Sequence, residues 1–407
     1  MSKKGDIIVG LDIGTTKVVA LVGEVKEDGQ IEVIGMGSSP SKGMQKGVIN
    51  EIESTVDSIR KAVMEAELMA GVQISSVYVG ISGHHIRGFN SHGIVAVKGN
   101  EITQVDMDRV RDQAKAVAIP MDRQVLHSIP QEYIVDSQDG IKIPLGMSGI
   151  RLEAKVHIVT SGISAGQNII RCCNKAGLSV ADIVLEPLCS SLSVLTDDER
   201  ELGVAMVDVG GGTADIIIYL KGAVVHTSVL PIGGDFVTHD IAVGLSTPMA
   251  SAEEIKKEYG CAMSCLVTKG ESLEVAKVGS GDPRHISRQV LCDIIEARAE
   301  EIVTMIQKEV HMTGLDDLLG AGVVFTGGGI NLPGMDQLAE EMMDMPVRVA
   351  SPSEVSGLID LVHDPVYSTS VGLLRYASTH SPSYIDKKRP LVKRMMEKVK
   401  VFFNDFV

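Results

Sequence analysis

Two short segments combine an aspartate with glycine and threonine residues in a pattern suited to binding phosphate. The residues are Asp12, Gly14, Thr15, Thr16 and Lys17 near the N-terminus, and Asp208, Gly210, Gly211, Gly212 and Thr213 in the middle of the chain. Glycine N–H groups can approach an anion closely, threonine hydroxyls add donors, and a nearby carboxylate can hold a hydrated Mg²⁺. Each segment predicts a phosphate-binding turn, although either one alone also fits an ordinary hairpin turn.

Both turns lie between apolar runs that are typical of buried strands. The flanking runs are residues 7–11 and 17–22 in the first hairpin and residues 204–209 and 215–220 in the second, each followed by a third strand, at 31–37 and 223–230. This internal duplication predicts two half-chains of similar plan whose turns face each other across a cleft. Their two carboxylates can clamp one Mg²⁺-polyphosphate, and Lys17 places a positive charge on the phosphates.

A third glycine-rich segment follows near the end of the second half-chain. An apolar strand at 323–326 leads into Gly327, Gly328 and Gly329, and a helix is predicted from Pro333 to Met343. Three glycines allow the backbone to lie flat against a base or an α-phosphate. Alone, the segment would better fit a tight strand-to-helix turn. After two hairpins suited to phosphate, it predicts a nucleotide pocket.

The order of these three segments resembles that of the actin, sugar-kinase and heat-shock-chaperone ATPase superfamily, whose two connecting helices resemble residues 186–195 and 368–374. The resemblance implies an α/β, actin-like ATPase fold with duplicated ribonuclease-H-like halves around a nucleotide cleft. It also implies ATP and Mg²⁺ as cofactors, with Mg²⁺ held by Asp12 and Asp208 through water. By the same resemblance, Glu186 orients the attacking water, Glu253 and Lys256 contact the adenosine, and any ATPase activity is weak.

Within that superfamily, residues 75–78, 126–133 and 154–157 resemble stretches of the FtsA family of bacterial cell-division proteins. This resemblance implies a protein that anchors the FtsZ ring to the cytoplasmic face of the cell membrane at the septum. It further implies that an inserted subdomain of the second half binds the C-terminal peptide of FtsZ. Self-association into filaments and recruitment of later division proteins through the insertion at 83–160 complete the expected functions.

The resulting division of the chain has five parts. The first half comprises 1–82 and 161–197, the insertion 83–160, the second half 198–377 with its own inserted subdomain at 247–310, a flexible linker 378–390, and an amphipathic helix 391–407. A polar, solvated link is expected at 196–201, where the two halves join.

Composition limits the remaining possibilities. The chain has 407 residues and a net charge of −15, which argues against nucleic acid as a main partner. Its six cysteines include no Cys-x-x-Cys pair, as is typical of a reducing cytoplasm. No run of 18 charge-poor apolar residues is present, so the sequence predicts no membrane-spanning helix.

The C-terminal segment 391–407 has a helical pattern with one apolar and one basic face. The apolar residues are Val392, Met395, Met396, Val399, Phe402, Phe403 and Phe406, and the basic residues are Lys393, Arg394, Lys398 and Lys400. Such a helix can lie on anionic lipid but carries too much charge to cross a bilayer. The pattern alone also fits a helix docked on its own protein; the resemblance favours a membrane anchor.

Three alternatives share the predicted fold. A small-molecule kinase would need a catalytic base and a polar substrate pocket, and would have no membrane helix. An FtsA-like pilus-assembly protein would share the insertion but not the basic, Phe-rich tail. A rod-shape actin of the MreB type would keep the standard actin subdomain in place of residues 83–160.

Overall fold

A computed structural model describes residues 6–279 and 282–380. Residues 6–194 form one half of the molecule together with an insertion. The elements of the half are strands β1 (Asp6–Ile13), β2 (Lys17–Val25), β3 (Ile31–Pro40), β4 (Met44–Gln45) and β5 (Val48–Ile49), helix α1 (Ile52–Ala70) and strand β6 (Ser76–Ile81). The insertion contains β7 (Arg87–Ala96), α2 (Gln104–Lys115), β8 (Arg123–Val135), β9 (Gln138–Ile141) and β10 (Arg151–Gly162). The chain then returns to the half as α3 (Ile163–Lys175), β11 (Ser179–Leu185) and α4 (Glu186–Val194).

The second half follows directly and ends in a helix that returns to the first half. Its elements up to α8 are α5 (Asp197–Leu202), β12 (Val204–Val209), β13 (Ala214–Leu220), β14 (Ala223–Leu230), α6 (Gly234–Gly244), α7 (Met249–Tyr259), β15 (Ser272–Val275), β16 (Arg284–Ser287) and α8 (Arg288–Met312). The remaining elements are β17 (Val323–Thr326), α9 (Met335–Met343), β18 (Val347–Val349), β19 (Ser356–Gly357), α10 (Ile359–Val362) and α11 (Ser368–His380).

The two halves contain sheets of the same plan. In the first, β3, β2 and β1 are antiparallel neighbours and β6 runs parallel to β1; in the second, β14, β13 and β12 are antiparallel neighbours and β17 runs parallel to β12. The central strands are apolar runs that are buried along nearly their whole length, because helices cover both faces of each sheet. The predicted α/β fold with duplicated halves is therefore confirmed.

Helices α4 and α11 connect the halves and pack against each other. A side chain at Gly372 would overlap the carbonyl oxygen of Cys189, so the two helix backbones are in direct contact and only glycine fits there. Apolar residues of α11, including Leu373 and Leu374, also pack under the first sheet. The last described helix, α11, therefore lies at the boundary between the halves.

The insertion is a four-stranded sheet in the order β7-β10-β8-β9, with α2 on one face. A complete capping box of Thr103 and Asp106 begins α2. The sheet also contacts the second half at β14: Asn90 Nδ2 donates to the carbonyl of Val225 at 3.0 Å, and His157 Nε2 lies 2.9 Å from Thr227 Oγ1. The insertion thus touches both halves.

Two expectations differ from the structure. The segment 196–201 is not a simple polar link, because Thr196 and Glu199 form a capping box that begins helix α5, and Glu199 pairs with Arg348 at 2.6 Å. Helix α11 extends to His380 and so includes the first three residues of the predicted linker. The rest of that linker and the predicted amphipathic helix 391–407 lie outside the described residues. Within residues 6–279 and 282–380, no helix is long and apolar enough to cross a membrane.

Candidate functional site

A cavity of about 250 Å³ lies between the two halves, where the turns after β1 and β12 face each other. All the site residues predicted for phosphate, metal, water and adenosine contacts line it: Asp12, Gly14, Thr15, Thr16, Lys17, Glu186, Asp208, Gly210, Gly211, Gly212, Thr213, Glu253, Lys256, Gly327, Gly328 and Gly329. The structure therefore brings together residues from both halves in one place. Their individual functions remain predictions.

Glycine is required where the two turns meet. Each turn is closed by a backbone hydrogen bond, from Gly14 N to the carbonyl of Lys17 at 3.0 Å and from Gly210 N to the carbonyl of Thr213 at 2.9 Å. A Cβ at Gly211 would overlap the hydroxyl of Thr16 from the opposite half. The absence of side chains leaves backbone N–H groups free to line a narrow cleft.

The carboxylates of Asp12 and Asp208 are held by hydroxyls from the connecting helices. Ser370 Oγ donates to Asp12 Oδ2 at 3.1 Å. Asp208 Oδ2 accepts two hydrogen bonds, from Ser190 Oγ at 2.5 Å and from Thr369 Oγ1 at 3.0 Å. Burial raises the pKa of Asp12 to about 6, against the opposing effect of nearby Lys17. Burial also raises the pKa of Asp208, although its two hydroxyl donors oppose this shift.

Lys17 acts electrostatically on both of these carboxylates. Burial lowers its pKa to about 8, while the negative charges of Asp12, Asp364 and Asp208 oppose the shift. Its ammonium nitrogen lies over the ring of Tyr367, 3.7 Å from the ring centroid. This position is within the range of a cation–π interaction.

Glu186 begins helix α4 at the floor of the cavity. It lies directly against Gly80 of β6, where a Cβ would come within 3.0 Å of Glu186 Cγ. Burial, followed by the negative charges of Asp12, Asp215 and Asp208, raises the pKa of Glu186 well above its usual value. A positive charge bound in the cavity would favour the ionised form of this carboxyl.

Glu253 and Lys256 form a small network on helix α7, against the start of α6. Lys256 Nζ pairs with Glu253 Oε2 at 2.6 Å and donates to Thr238 Oγ1 at 2.8 Å and to the carbonyl of Gly234 at 3.2 Å. Thr238 Oγ1 also donates to Glu253 Oε2 at 2.5 Å. The network holds both side chains at the edge of the cavity, next to the third glycine-rich segment.

That third segment packs directly on the second turn. Gly327 has a φ of +89°, a conformation that favours glycine, and a Cβ there would overlap Asp208 Oδ1. A Cβ at Gly329 would lie 2.6 Å from Val209 Cγ1. The two segments therefore form a continuous glycine-lined wall.

Several side chains that line or contact the cavity were not predicted from the sequence, among them Asp215, Asp235 and Tyr367. Asp215 is buried and accepts hydrogen bonds from Ser82 of the first half and from Thr213. Burial raises its pKa to about 7, with Asp208 and Asp12 adding to the shift. The available signal was a charged residue inside the apolar strand β13, because a buried carboxylate is unusual without a specific partner or function.

The chemistry of the donor set fits a polyphosphate carrying a divalent cation. Six carboxylates line the cavity but only three ammonium groups, those of Lys17, Lys256 and Lys257. A bare polyphosphate would therefore face excess negative charge. No group of three or more His, Cys, Asp or Glu side chains within the described ranges could hold a metal ion. A Mg²⁺ at Asp12 and Asp208 would take its other ligands from water and phosphate, as this ion commonly does.

The duplicated sheets, the facing Asp-x-Gly hairpins and the connecting helices define an actin-like ATPase fold. Solved structures agree. The chain aligns with the PilM-PilN type IV pilus biogenesis complex with a TM-score of 0.66 and 14% identity, over 91% of this chain and 98% of that chain. It aligns with MreB5 of Spiroplasma citri bound to ADP with a TM-score of 0.53 and 16% identity, over 92% and 96% of the two chains. At these identities the likeness concerns the fold alone.

Closer sequence relatives identify the family. The chain is 54% identical to the cell division protein FtsA of Pseudomonas aeruginosa, over 92% of this chain and 90% of the relative, and 44% identical to that of Escherichia coli (strain K12), over 97% and 94%. Family models for cell division protein FtsA and for the SHS2 domain inserted in FtsA match residues 205–372 and 83–160. The chain belongs to the FtsA family of cell-division proteins.

This membership decides among the alternatives raised by the sequence. Small-molecule kinases, pilus-assembly proteins and MreB-type actins share the fold, but the curated relatives with 44%, 45% and 54% identity to this chain are FtsA proteins. The match of residues 83–160 to the inserted SHS2 domain of FtsA agrees with the same assignment. The protein is therefore a cell-division protein with an actin-like fold.

Proposed function

We propose that the protein binds ATP with Mg²⁺ between its halves and anchors FtsZ polymers to the cytoplasmic face of the cell membrane at the division septum. The observation that carries the nucleotide proposal is the cavity in which glycine-rich turns from both halves meet around Asp12, Asp208 and Lys17. Related folds support it, since the two MreB5 structures of Spiroplasma citri are described as bound to ADP and to AMPPNP.

Each cavity residue has a function that its position supports. The glycine N–H groups and threonine hydroxyls of the two turns bind phosphate, and Lys17 contributes a positive charge. Asp12 and Asp208 hold Mg²⁺, which neutralises phosphate charge and favours the ionised form of the nearby carboxyls. Glu186 orients a water for hydrolysis, and Glu253 and Lys256 contact the adenosine. Any ATPase activity is weak, as the family resemblance implies.

The connecting helices couple the cleft to the rest of the molecule through hydrogen bonds to Asp12 and Asp208. Ser190 of α4 and Thr369 of α11 both donate to Asp208, and Ser370 of α11 donates to Asp12. A change in charge at these carboxylates therefore acts directly on the helices about which the halves turn. We infer that nucleotide binding closes the halves and alters the surfaces used for self-association, as in other ligand-driven domain closures.

The remaining partners follow from family membership and from the sequence. The tail 391–407, outside the described residues, places its apolar face in an anionic lipid surface. The inserted subdomain at 247–310 binds the C-terminal peptide of FtsZ. The insertion at 83–160 recruits later division proteins, and the protein assembles with further copies of itself. The five-part division of the chain remains part of this proposal.

Co-sedimentation with anionic liposomes tests the anchoring proposal. The full chain should pellet with the lipid, and filaments should appear by electron microscopy when Mg-ATP is present. A variant ending at Pro390 should bind ATP as tightly as the full chain but remain in the supernatant. Neutral phosphatidylcholine liposomes provide the control for charge. If the truncated variant pellets with anionic liposomes as the full chain does, residues 391–407 are not the anchor.

A further inference from the structure

The turn formed by Asp364, Pro365, Val366 and Tyr367 touches both ends of the cleft, although no predicted function includes it. It precedes helix α11 and folds into one turn of 3₁₀ helix. Val366 lines the cavity, and Tyr367 lies beneath the Lys17 ammonium. A single short segment therefore contacts the third glycine-rich segment on one side and the phosphate-binding lysine on the other.

Its contact with the third glycine-rich segment is fixed by hydrogen bonds. The carbonyl of Pro365 accepts from Gly327 N at 3.2 Å. Asp364 Oδ1 accepts from Val366 N at 2.9 Å and from Asn331 Nδ2 at 3.1 Å, so the turn is held both internally and from the side. A Cβ at Gly328 would lie 2.9 Å from Val366 Cγ2. The turn is thus hydrogen-bonded to, and packed against, the proposed adenosine end of the cleft.

The contact of Tyr367 with Lys17 affects where the lysine ammonium lies among three nearby carboxylates. Lys17 is flanked by Asp12, Asp208 and Asp364, each of which attracts its ammonium. The lysine side chain has four flexible torsions. Without a contact such as that to Tyr367, it would form an ion pair with one of these carboxylates, which would then be less available to a metal ion. The ring face of Tyr367 attracts the ammonium without using a directional acceptor, so the N–H donors of Lys17 can still point into the cleft.

We propose that the turn 364–367 is a further binding element of the cleft, in which Tyr367 positions the Lys17 ammonium for the β- and γ-phosphates of a nucleoside triphosphate. This inference rests on the proposed nucleotide-binding function. Tyr367 thus has a positioning function that depends on its aromatic ring. Its contribution to binding affinity is specific to the polyphosphate part of the ligand.

Isothermal titration calorimetry of the full-length protein tests this assignment, with Mg-ATP and with AMP as separate ligands. Tyr367→Leu should weaken ATP binding by about 3- to 30-fold, the range expected from losing a cation–π contact, and should change AMP binding by less than about twofold. Tyr367→Phe keeps the ring and should bind both ligands as the parent protein does. Tyr367→Met serves as the apolar replacement if the leucine variant does not fold.

Combination with Lys17→Met separates positioning from general structural damage. In that background Tyr367→Leu should have no further effect on ATP affinity, because the group that Tyr367 positions is absent. Equal losses of ATP and AMP affinity, or a loss that persists without Lys17, would overturn the assignment, as would unchanged ATP binding by Tyr367→Leu. Absence of ATP binding by the parent protein would instead reject the proposed nucleotide-binding function.

Discussion

The hairpins that contain Asp12 and Asp208 have the same backbone plan but differ in charge. Asp12 pairs in register with Val19 of β2, whereas Asp208 pairs with Asp215 of β13. Conversely, Lys17 stands five residues after Asp12, at the position where the second hairpin has Thr213. The first hairpin is therefore carboxylate plus ammonium, and the second is carboxylate plus carboxylate.

This difference shows that duplication of the sheet fixes the geometry of the two turns but not their charge. Repetition of the sheet places two turns face to face and explains why both need glycine. It does not make the two walls of the cleft chemically equivalent. The first wall is suited to phosphate charge through Lys17, and the second to a cation through Asp208 and Asp215. We expect this asymmetry to favour one orientation of a bound metal–phosphate pair.

The largest effect should follow from removing the carboxylate of the second hairpin. Asp208→Ala should lower Mg-ATP affinity by at least the roughly 10- to 100-fold that loss of a supporting partner outside a metal's own ligand shell costs. ATP-dependent polymer should decrease in parallel. Titration calorimetry and pelleting measure the two effects, with Asp336→Ala, an exposed residue in the first turn of α9, as the control. If polymer forms normally although ATP affinity is reduced, self-assembly does not depend on nucleotide binding in the cleft.

Unequal effects are expected at the matched positions Lys17 and Thr213. Lys17→Met removes a charged donor and should cost about 1.5–3 kcal/mol of ATP binding, whereas Thr213→Val removes a neutral donor and should cost about 0.5–1.5 kcal/mol. Fluorescent-nucleotide competition at fixed Mg²⁺ measures both. Equal losses would mean that the hairpins contribute alike and that the charge asymmetry has no consequence for binding.

The smallest effect concerns stability without ligand. Burial raises the pKa of Asp215 from 3.8 to about 7, so the folded protein binds this proton more tightly than the unfolded chain and loses stability as the pH rises through that interval. Asp215→Asn removes the ionisation and should make the free protein more stable at pH 8 by on the order of 1 kcal/mol, after the weakened bonds from Ser82 and Thr213 are allowed for.

Thermal unfolding of the parent and Asp215→Asn proteins at pH 5 and pH 8, in EDTA, measures that difference. The gain from the substitution should be larger at pH 8 than at pH 5, where the parent carboxyl is already protonated. Asp317→Asn, on an exposed turn, is the control for a general loss of negative charge. A gain of the same size at both pH values would indicate a packing effect unrelated to ionisation.

Local sequence pattern was sufficient for much of the scaffold and the cavity. Apolar runs closed by glycines predicted β12 at residues 204–209, and the repeated Asp-x-Gly turns predicted that Asp12 and Asp208 would meet. The capping box at Thr196 and Glu199 is also a local signal, but a charged, polar segment was interpreted as a link and α5 was missed. Here the error was one of interpretation, since the pattern was present.

Other site features depend on contacts that one sequence cannot display. Lys17 and Tyr367 are 350 positions apart, and only the packing of α11 under the first sheet brings them together. Asp215 becomes part of the site because Ser82 of the opposite half donates to it. The site contacts of such residues depend on tertiary packing, whereas those of the glycine-rich turns depend on local backbone conformation.

The central claim is that a divalent cation strengthens ATP binding by the cleft, because the carboxylates that line the cleft outnumber the ammonium groups. Titration calorimetry of the full-length protein with ATP, first with Mg²⁺ and then with EDTA, tests it most directly. We predict saturable binding with Mg²⁺ and at least about 10-fold weaker binding without it, since a metal that neutralises phosphate is then missing. Equal affinity in EDTA, or no binding in either buffer, would contradict the account.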